Sequence, residues 1–505
     1  MSEKKMLAMG SVLSAVVLFI RIAVAFLLMP FIINMLGARF YGIWVLIGTF
    51  VGYYGVFDFG IGGAVIRYVS REMGAGRQHM INSYVNSAFF LLLFLGTIII
   101  LMSFGSAFLA QFFISDAEHL KFFRFAVIIM GISIGTAFPL RVFDGLLGAY
   151  LRFDLKRYVE LFEICFRTGM TVLLLKMGYG IYGLAVASAC ATLLELLLKT
   201  AVCFRIDPNL SIGYAYAGMD KIREMMDFAV ANFINTLNMI TTSQLAPYIV
   251  VWVSNVTTVA YYGVALTLVN YFGEFFRTTQ GVLFPLFSHR DGSGDLVGME
   301  RWLVLGSRIS VVLAGTGGIL VVLYGRQFLG RWLGPAFQIS YLYTVVLITP
   351  LILTYGMFPV VFVMNATGRH KLATFLDVLK SVATLALSFI LGYRMGAMGV
   401  AIGTAVPCIV FDGLIKPLYA CKIIEADPFR YYGAVLASML KVGILIVPIW
   451  FMLGKGVQPD YLSLASIFGL HMCVIIALGF FVLISGQERM ILSAYINQRF
   501  RSRWS

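Results

Sequence analysis

Apolar runs of about 20 residues recur along this chain from Leu7 to Ile484, and they constrain its fold more than any motif does. A run of that length, wound as a helix, spans the ~30 Å hydrocarbon core of a bilayer. Fourteen such runs can be drawn, at 7–29, 40–66, 84–110, 122–148, 158–176, 179–203, 226–251, 259–286, 302–325, 340–364, 372–393, 398–421, 433–454 and 461–484. Only 12% of the residues are charged and the mean hydropathy is +0.90, too few charges to cover a soluble surface of this size. The expected fold is therefore an all-α polytopic membrane protein of about fourteen transmembrane helices. The first run follows Lys4 and Lys5 but is too long for a signal peptide and contains Arg21, so it reads as helix 1.

The net charge of +14 sits in short loops and forms no basic face of the kind that grips nucleic acid. It does set an orientation. Arg67, Arg71, Arg77, Arg152, Lys156, Arg205, Lys221, Arg290, Arg369, Lys422 and the tail Arg489–Arg503 fall on one side, against few cations on the other. By the positive-inside rule both termini are expected in the cytoplasm, and the protein in the cytoplasmic (inner) membrane. The six cysteines show no CxxC and suggest neither a disulfide framework nor a metal site.

The chain also repeats itself. Tyr179–Ala189 (YGIYGLAVASA) echoes Met395–Ala405 (MGAMGVAIGTA), Tyr41-Gly42 returns as Tyr262-Gly263, Gly148 as Gly368, and Asp207-Pro208 as Asp427-Pro428. The spacings of 216 to 221 residues imply a six-helix duplication. Two lobes inserted the same way up follow from the even repeat, at 1–204 and 226–425, with a cytoplasmic linker at 205–225 holding a short interfacial helix. Helices 13 and 14 and the tail, 426–505, lie outside the repeat.

Charges within apolar runs are costly, by about 2.5–3.5 kcal/mol at mid-bilayer, so each needs a partner or a role. Arg141/Asp144, Glu163/Arg167, Glu195/Lys199 and Asp412/Lys416 sit three or four residues apart and are read first as ion pairs along one helix face. Helix 8 carries a polar stripe, Thr267, Asn270, Tyr271, Glu274, Arg277, Thr278 and Gly281. Ser11, Ser14 and Arg21 line helix 1, and Asn232, Asn235 and Asn238 line helix 7. These stripes suggest a polar, cationic cavity in which Arg21 and Arg277, with Arg308, Glu274 and Asn270, bind an anionic group; a polar seam gluing helices is the bland alternative. Asp377, Lys380, Ser381, Thr384 and Ser388 form a further stripe on helix 11, read as an ion relay or an internal salt bridge. In YYGVFDFGIGGAVIRYVS (Tyr53–Ser70) the glycines suggest close packing or a bend, since no strand precedes them as a nucleotide loop requires. Asp58 is expected to meet Arg21 as a gate residue.

Leu36–Trp44 (LGARFYGIW), the proline ending helix 1, FDFGIGGAVIRYVS closing helix 2, Asn365–Ala373 (NATGRHKLA) and Gly396–Ala405 (GAMGVAIGTA) resemble Wzx-type polysaccharide and O-antigen flippases. The resemblance covers most of the chain and places it in the multidrug/oligosaccharidyl-lipid/polysaccharide exporter superfamily. It implies two six-helix lobes working by alternating access on an undecaprenyl-pyrophosphate-linked oligosaccharide, not an enzyme. Its implied partners are that substrate, membrane lipids and the polymerase and chain-length proteins of the same pathway. Helices 13 and 14 would supply a groove for the lipid tail. It implies no cofactor, with Na+ or H+ as coupling ion and Asp377, Asn235 and Thr384 as the residues to hold it. The rival readings are a drug/cation antiporter, against which a cavity bearing arginines argues, and a membrane polymerase or glycosyltransferase, against which the short outward loops argue.

Overall fold

The computed structural model describes residues 3–112, 116–280 and 294–453, with isolated positions in 281–293 and 466–470; at some helix positions, among them 3–12 and 277–280, only the backbone is described. Among the described residues the chain is helical and contains no strand. Among these described residues, nine stretches are long and apolar enough to cross a membrane. They hold ten of the fourteen expected crossings, because Leu13–Gly74 contains the first two. Three others, expected at 158–176, 226–251 and 259–286, are helical over their described residues, the last as far as Gln280, but carry charge or amide side chains. The span at 461–484 lies outside the described residues, apart from three positions.

The fold divides into two compact units, Met1–Ala260 and Tyr261–Ser505. In the first, α1 (Glu3–Tyr53) holds helix 1 and half of helix 2. The break was expected at Pro30, yet Pro30 lies inside α1 and the chain bends at Gly37, at φ 79° and ψ 162°. That conformation is open essentially only to glycine, whereas a membrane helix tolerates a proline. Helix 2 then tightens into a 3-10 turn (Tyr54–Asp58), reverses through Phe59 and Gly60 at φ 47° and 76°, and resumes as α2 (Ile61–Gly74). The bend reading of this glycine-rich stretch is thus the observed one at Gly60.

Next come α3 (Gln78–Leu109), α4 (Ala117–Ala137), α5 (Arg141–Ala149), α6 (Phe153–Lys176) and α7 (Gly180–Ile206). On α3 and α4, Gly96 and Gly135 oppose each other so closely that a Cβ on either would strike the other's carbonyl oxygen; small residues let membrane helices approach in this way. Tyr54, Tyr84, Phe138 and Phe143 fill the core between these helices. α8 (Met219–Gln244) and α9 (Ala246–Val253) open the second sequence repeat but belong to the first unit. The Tyr248 hydroxyl donates to the Leu46 carbonyl at 3.2 Å, and Phe233 meets Phe59 at 4.7 Å between ring centroids.

The second unit takes in most of α10 (Val256–Gln280), then α11 (Leu296–Trp332), α12 (Ser340–Gly356), α13 (Pro359–Ala366), α14 (His370–Met395) and α15 (Ala397–Cys408). A π turn (Ile409–Ile415) leads into α16 (Lys416–Ile423), and α17 (Pro428–Leu453) follows. The π turn has a local cause. Pro417 has no N–H to give the carbonyl of Gly413, and the Tyr432 hydroxyl donates there instead, 3.0 Å from Gly413 O and 2.9 Å from Leu414 O.

Candidate functional site

In each sequence repeat a cluster of charges gathers between the fifth and sixth membrane helices of that repeat, α6 with α7 and α14 with α15 and α16. In the first unit, Arg157, Glu160, Glu163 and Arg167 recur every three or four residues and so share one face of α6. Arg157 bonds Glu160 at 2.5 Å and donates from Nε to Ser14 Oγ at 2.9 Å. Glu163 holds Arg167 at 2.5 Å and also feels the charge of Arg21 on α1. The polar face of helix 1 is therefore turned, at Ser14 and Arg21, toward α6. From α7, the buried ammonium of Lys199 lies 2.6 Å from Asp144, 2.7 Å from Glu195 and 4.0 Å from Glu160. Asp144 was expected to pair with Arg141 one turn away. It instead takes Lys199 and Lys156, both at 2.6 Å, because these cations project from facing helices.

Asp58 was expected to meet Arg21. The cation whose charge it feels is Arg141, and the backbone N–H groups of Gly60 and Gly62 donate to its carboxylate. The reversal at Phe59 and Gly60 explains the change, since it turns Asp58 toward the start of α5. Arg141 also rests on the Phe138 ring, 4.9 Å from its centroid.

In the second unit four charges close a ring. Lys380 reaches Asp377 and Asp412 at 2.9 Å each, and Lys416 reaches the same two carboxylates at 2.7 Å each. Asp377 and Lys380 come from α14, Asp412 from the π turn and Lys416 from the start of α16. Two acids and two bases alternate, so the ring is neutral; Asp412 and Lys416 are buried, while Lys380 and Asp377 are half-buried. A cation that settled on Asp377 would have to displace an ammonium group. Thr384 is buried two turns along the same helix. Its expected companion Asn235 lies on α8, with its side chain outside the described residues.

Asn270 is exposed and Glu274 half-buried on α10, while the side chain of Arg277 on that helix lies outside the described residues. Arg308 on α11 is half-buried and donates from Nε to Ser438 Oγ on α17 at 3.2 Å. Along α17, with Ile319 of α11, an open apolar cavity of about 710 Å³ is lined by Leu436, Met439, Leu440, Ile444 and Val447, among others.

One relation between the clusters escaped the reading of the sequence. Glu160, Glu163, Glu195 and Lys199 stand 217 residues before Asp377, Lys380, Asp412 and Lys416. Lys199 and Lys416 thus hold equivalent places, each bridging the acid one turn before it and an acid on the preceding long helix. The signal was the 217-residue offset itself, carried by charges and not by the small residues that revealed the repeat. The clusters differ where Lys380 closes the second ring, since its counterpart Glu163 is an acid and faces Arg21.

A family model described as "Polysaccharide biosynthesis protein" matches residues 34–298. An uncharacterized membrane protein of Bacillus subtilis strain 168, EpsK, is 19% identical over 403 residues, which cover 78% of this chain and 79% of the relative. Among solved structures, the lipid II flippase MurJ in an inward closed conformation superposes with a TM-score of 0.66 at 13% identity, over 93% of this chain and 99% of that one. An inward-facing multidrug resistance MATE family transporter of the MOP superfamily gives 0.65 at 14% identity, over 78% and 94%. At such identities these likenesses concern the fold.

Proposed function

The chain belongs to the polysaccharide biosynthesis protein family, and on that premise we propose that it is a flippase that moves an undecaprenyl-pyrophosphate-linked oligosaccharide across the cytoplasmic membrane by alternating access. Family membership over residues 34–298 is the observation that carries the reading. The apolar cavity along α17 supports it, because a polyprenyl chain needs a dry, elongated surface beside the polar path of its headgroup. Arg308, held by Ser438 on α17, offers a pyrophosphate the planar donor pair that suits phosphate oxygens. Arg21 and Arg277 are the other proposed headgroup ligands, with Asn270 and Glu274 positioning them. Both termini are proposed to be cytoplasmic, from the distribution of loop cations.

The test is complementation. Strains lacking a flippase of known glycan specificity accumulate lipid-linked oligosaccharide on the inner leaflet, and expression of this chain should restore surface polysaccharide in at least one of them. Rescue of none, together with export of cationic dyes, overturns the proposal in favour of a drug antiporter. In a rescued strain, Arg308→Ala should lower the transport rate at unchanged membrane abundance, and Arg308→Lys should recover only part of it.

A further inference from the structure

Between α7 and α8 the chain runs from Asp207 to Gly218 with no regular structure except a 3-10 turn at Tyr214–Tyr216. The short helix expected within 205–225 is this single 3-10 turn, and α8 begins at Met219. An irregular segment at the end of membrane helices must still satisfy its peptide groups, and here side chains of α3 do so. Asn82 donates from Nδ2 to Asn209 O at 3.1 Å and accepts from Ser211 N at 3.2 Å. One turn on, Asn86 donates to Ser211 O at 2.7 Å and accepts from Gly213 N at 2.8 Å. Ser87 donates to Gly218 O and accepts from Gly218 N, at 3.3 and 3.0 Å. A carboxamide carries the donor and acceptor of a peptide unit, so the two asparagines pair with the strap as residues of a neighbouring strand would. Asp207 fixes its start through Gln78 at 2.8 Å and Tyr150 at 2.9 Å.

The inner edge is therefore closed, and Leu210 is buried in the core of the first unit. The outer edge is of opposite character: Tyr214 is 80% exposed, Met219 77%, and Ile212 and Tyr216 are exposed to a lesser degree. The Tyr214 ring meets Phe90 of α3 edge-on, 5.4 Å between centroids. Phe90 begins a row on α3 that continues through exposed Phe94 and Leu101, side chains that a membrane helix can present only to lipid. Nearby charge is close to balanced, with Arg71, Arg77, Arg205, Lys221 and Arg223 against Glu72, Asp207, Asp220 and Glu224.

We infer that Asp207–Gly218 is a membrane-surface strap, zipped to α3 by Asn82, Asn86 and Ser87, whose outward residues Ile212, Tyr214 and the adjoining Met219 sit among the lipid headgroups at the amino-terminal end of α3. Tyrosine suits that depth because its ring is apolar and its hydroxyl remains hydrated. The occupant of this face is lipid, and the contact is driven by apolar area rather than by attraction to anionic headgroups.

The test uses the full chain, with its six cysteines replaced, carrying Tyr214→Cys, Met219→Cys or, as a reference in the exposed loop before α3, Ala75→Cys. Each is spin-labelled and reconstituted in phosphatidylcholine vesicles with or without phosphatidylglycerol. Labels at 214 and 219 should collide with oxygen several-fold more than with a water-soluble nickel chelate, equally in both vesicles, while the label at 75 shows the reverse. Chelate access at 214 equal to that at 75 overturns the inference, as does a depth that appears only with anionic lipid. Should the cysteine-free chain not fold, Tyr214→Trp in the otherwise native chain supplies the second reading. Brominated lipids should then quench more fluorescence than in the parent, and unchanged quenching overturns the inference.

Discussion

Replacing Lys416 with methionine tests whether the ring of four charges holds the second unit together. The Lys416 ammonium lies 2.7 Å from both Asp377 and Asp412, and the residue is 5% exposed. At an effective dielectric of about 20, each contact is worth roughly 6 kcal/mol of Coulomb energy. Most of that gross attraction is offset by the cost of removing the ions from water, several kcal/mol each. Removing one partner loses the attraction and leaves the cost. After Lys416→Met, Asp377 and Asp412 share Lys380 alone, and the ring carries one uncompensated negative charge. The expected loss is about 3–5 kcal/mol, the range for breaking a buried pair. The double replacement Lys416→Met with Asp412→Leu leaves Asp377 facing Lys380 at 2.9 Å. A neutral pair in an apolar setting should then recover most of the loss, to within about 1–2 kcal/mol of the parent. The assay is the fraction of detergent-solubilised protein that stays monodisperse after heating, read by size-exclusion chromatography for the parent, both single variants and the double. A single variant as stable as the parent, or a double no better than the worse single, refutes the reasoning.

Three other outcomes follow from particular contacts. A Cβ at Gly42 would collide with the backbone carbonyl of Val256, whereas one at Gly48 meets nothing within 4 Å. Gly42→Ala should therefore cost about 1–3 kcal/mol while Gly48→Ala is neutral or gains up to about 1 kcal/mol, compared in the same heating assay. Asn86→Ala removes two hydrogen bonds to the strap and one to the Asn82 carbonyl. At about 1 kcal/mol each, the strap should loosen enough for chymotrypsin to cleave the mutant near Tyr214 faster than the parent. Asp154, at the entry to α6, is held below the usual carboxylate range chiefly by hydrogen bonds from Arg152, at 3.0 Å to both oxygens. A depressed folded-state pKa gives stability that is present above the ordinary value near 3.8 and lost as pH falls below it. Asp154→Asn should accordingly lower stability at pH 7 and make a smaller difference near pH 3, as read from heating curves at the two pH values.

The apolar runs revealed the helical nature of the chain and the places of ten crossings because the bilayer imposes a length on each crossing, whatever the tertiary contacts. The same criterion fails at α6, where charges recur at every turn. Their cost is met by Ser14, Arg21 and Lys199, residues distant in sequence, and no local window can register that compensation. For the same reason Glu163/Arg167, Glu195/Lys199 and Asp412/Lys416 were legible and Asp144 was not: one turn of helix brings the first three together, while the cations facing Asp144 come from the start of α6 and from α7. Asp58 failed for a related cause, since its direction depends on the left-handed Phe59 and Gly60, and a phenylalanine gives little warning of positive φ. The duplication was legible from glycines and small residues, which mark where backbones approach. The ion pairs at the 217-residue offset lay in charges that this pattern of small residues does not include. Where both copies kept the lysine, at 199 and 416, the bridge it makes is the same, so that position answers to a need internal to each lobe. Where the copies diverged, at Glu163 and Lys380, the second unit closed its own ring and the first turned an acid toward Arg21. A role peculiar to one lobe should be sought at such divergent pairs before the shared ones, and among the charges described here that directs attention to Glu163 and Arg21.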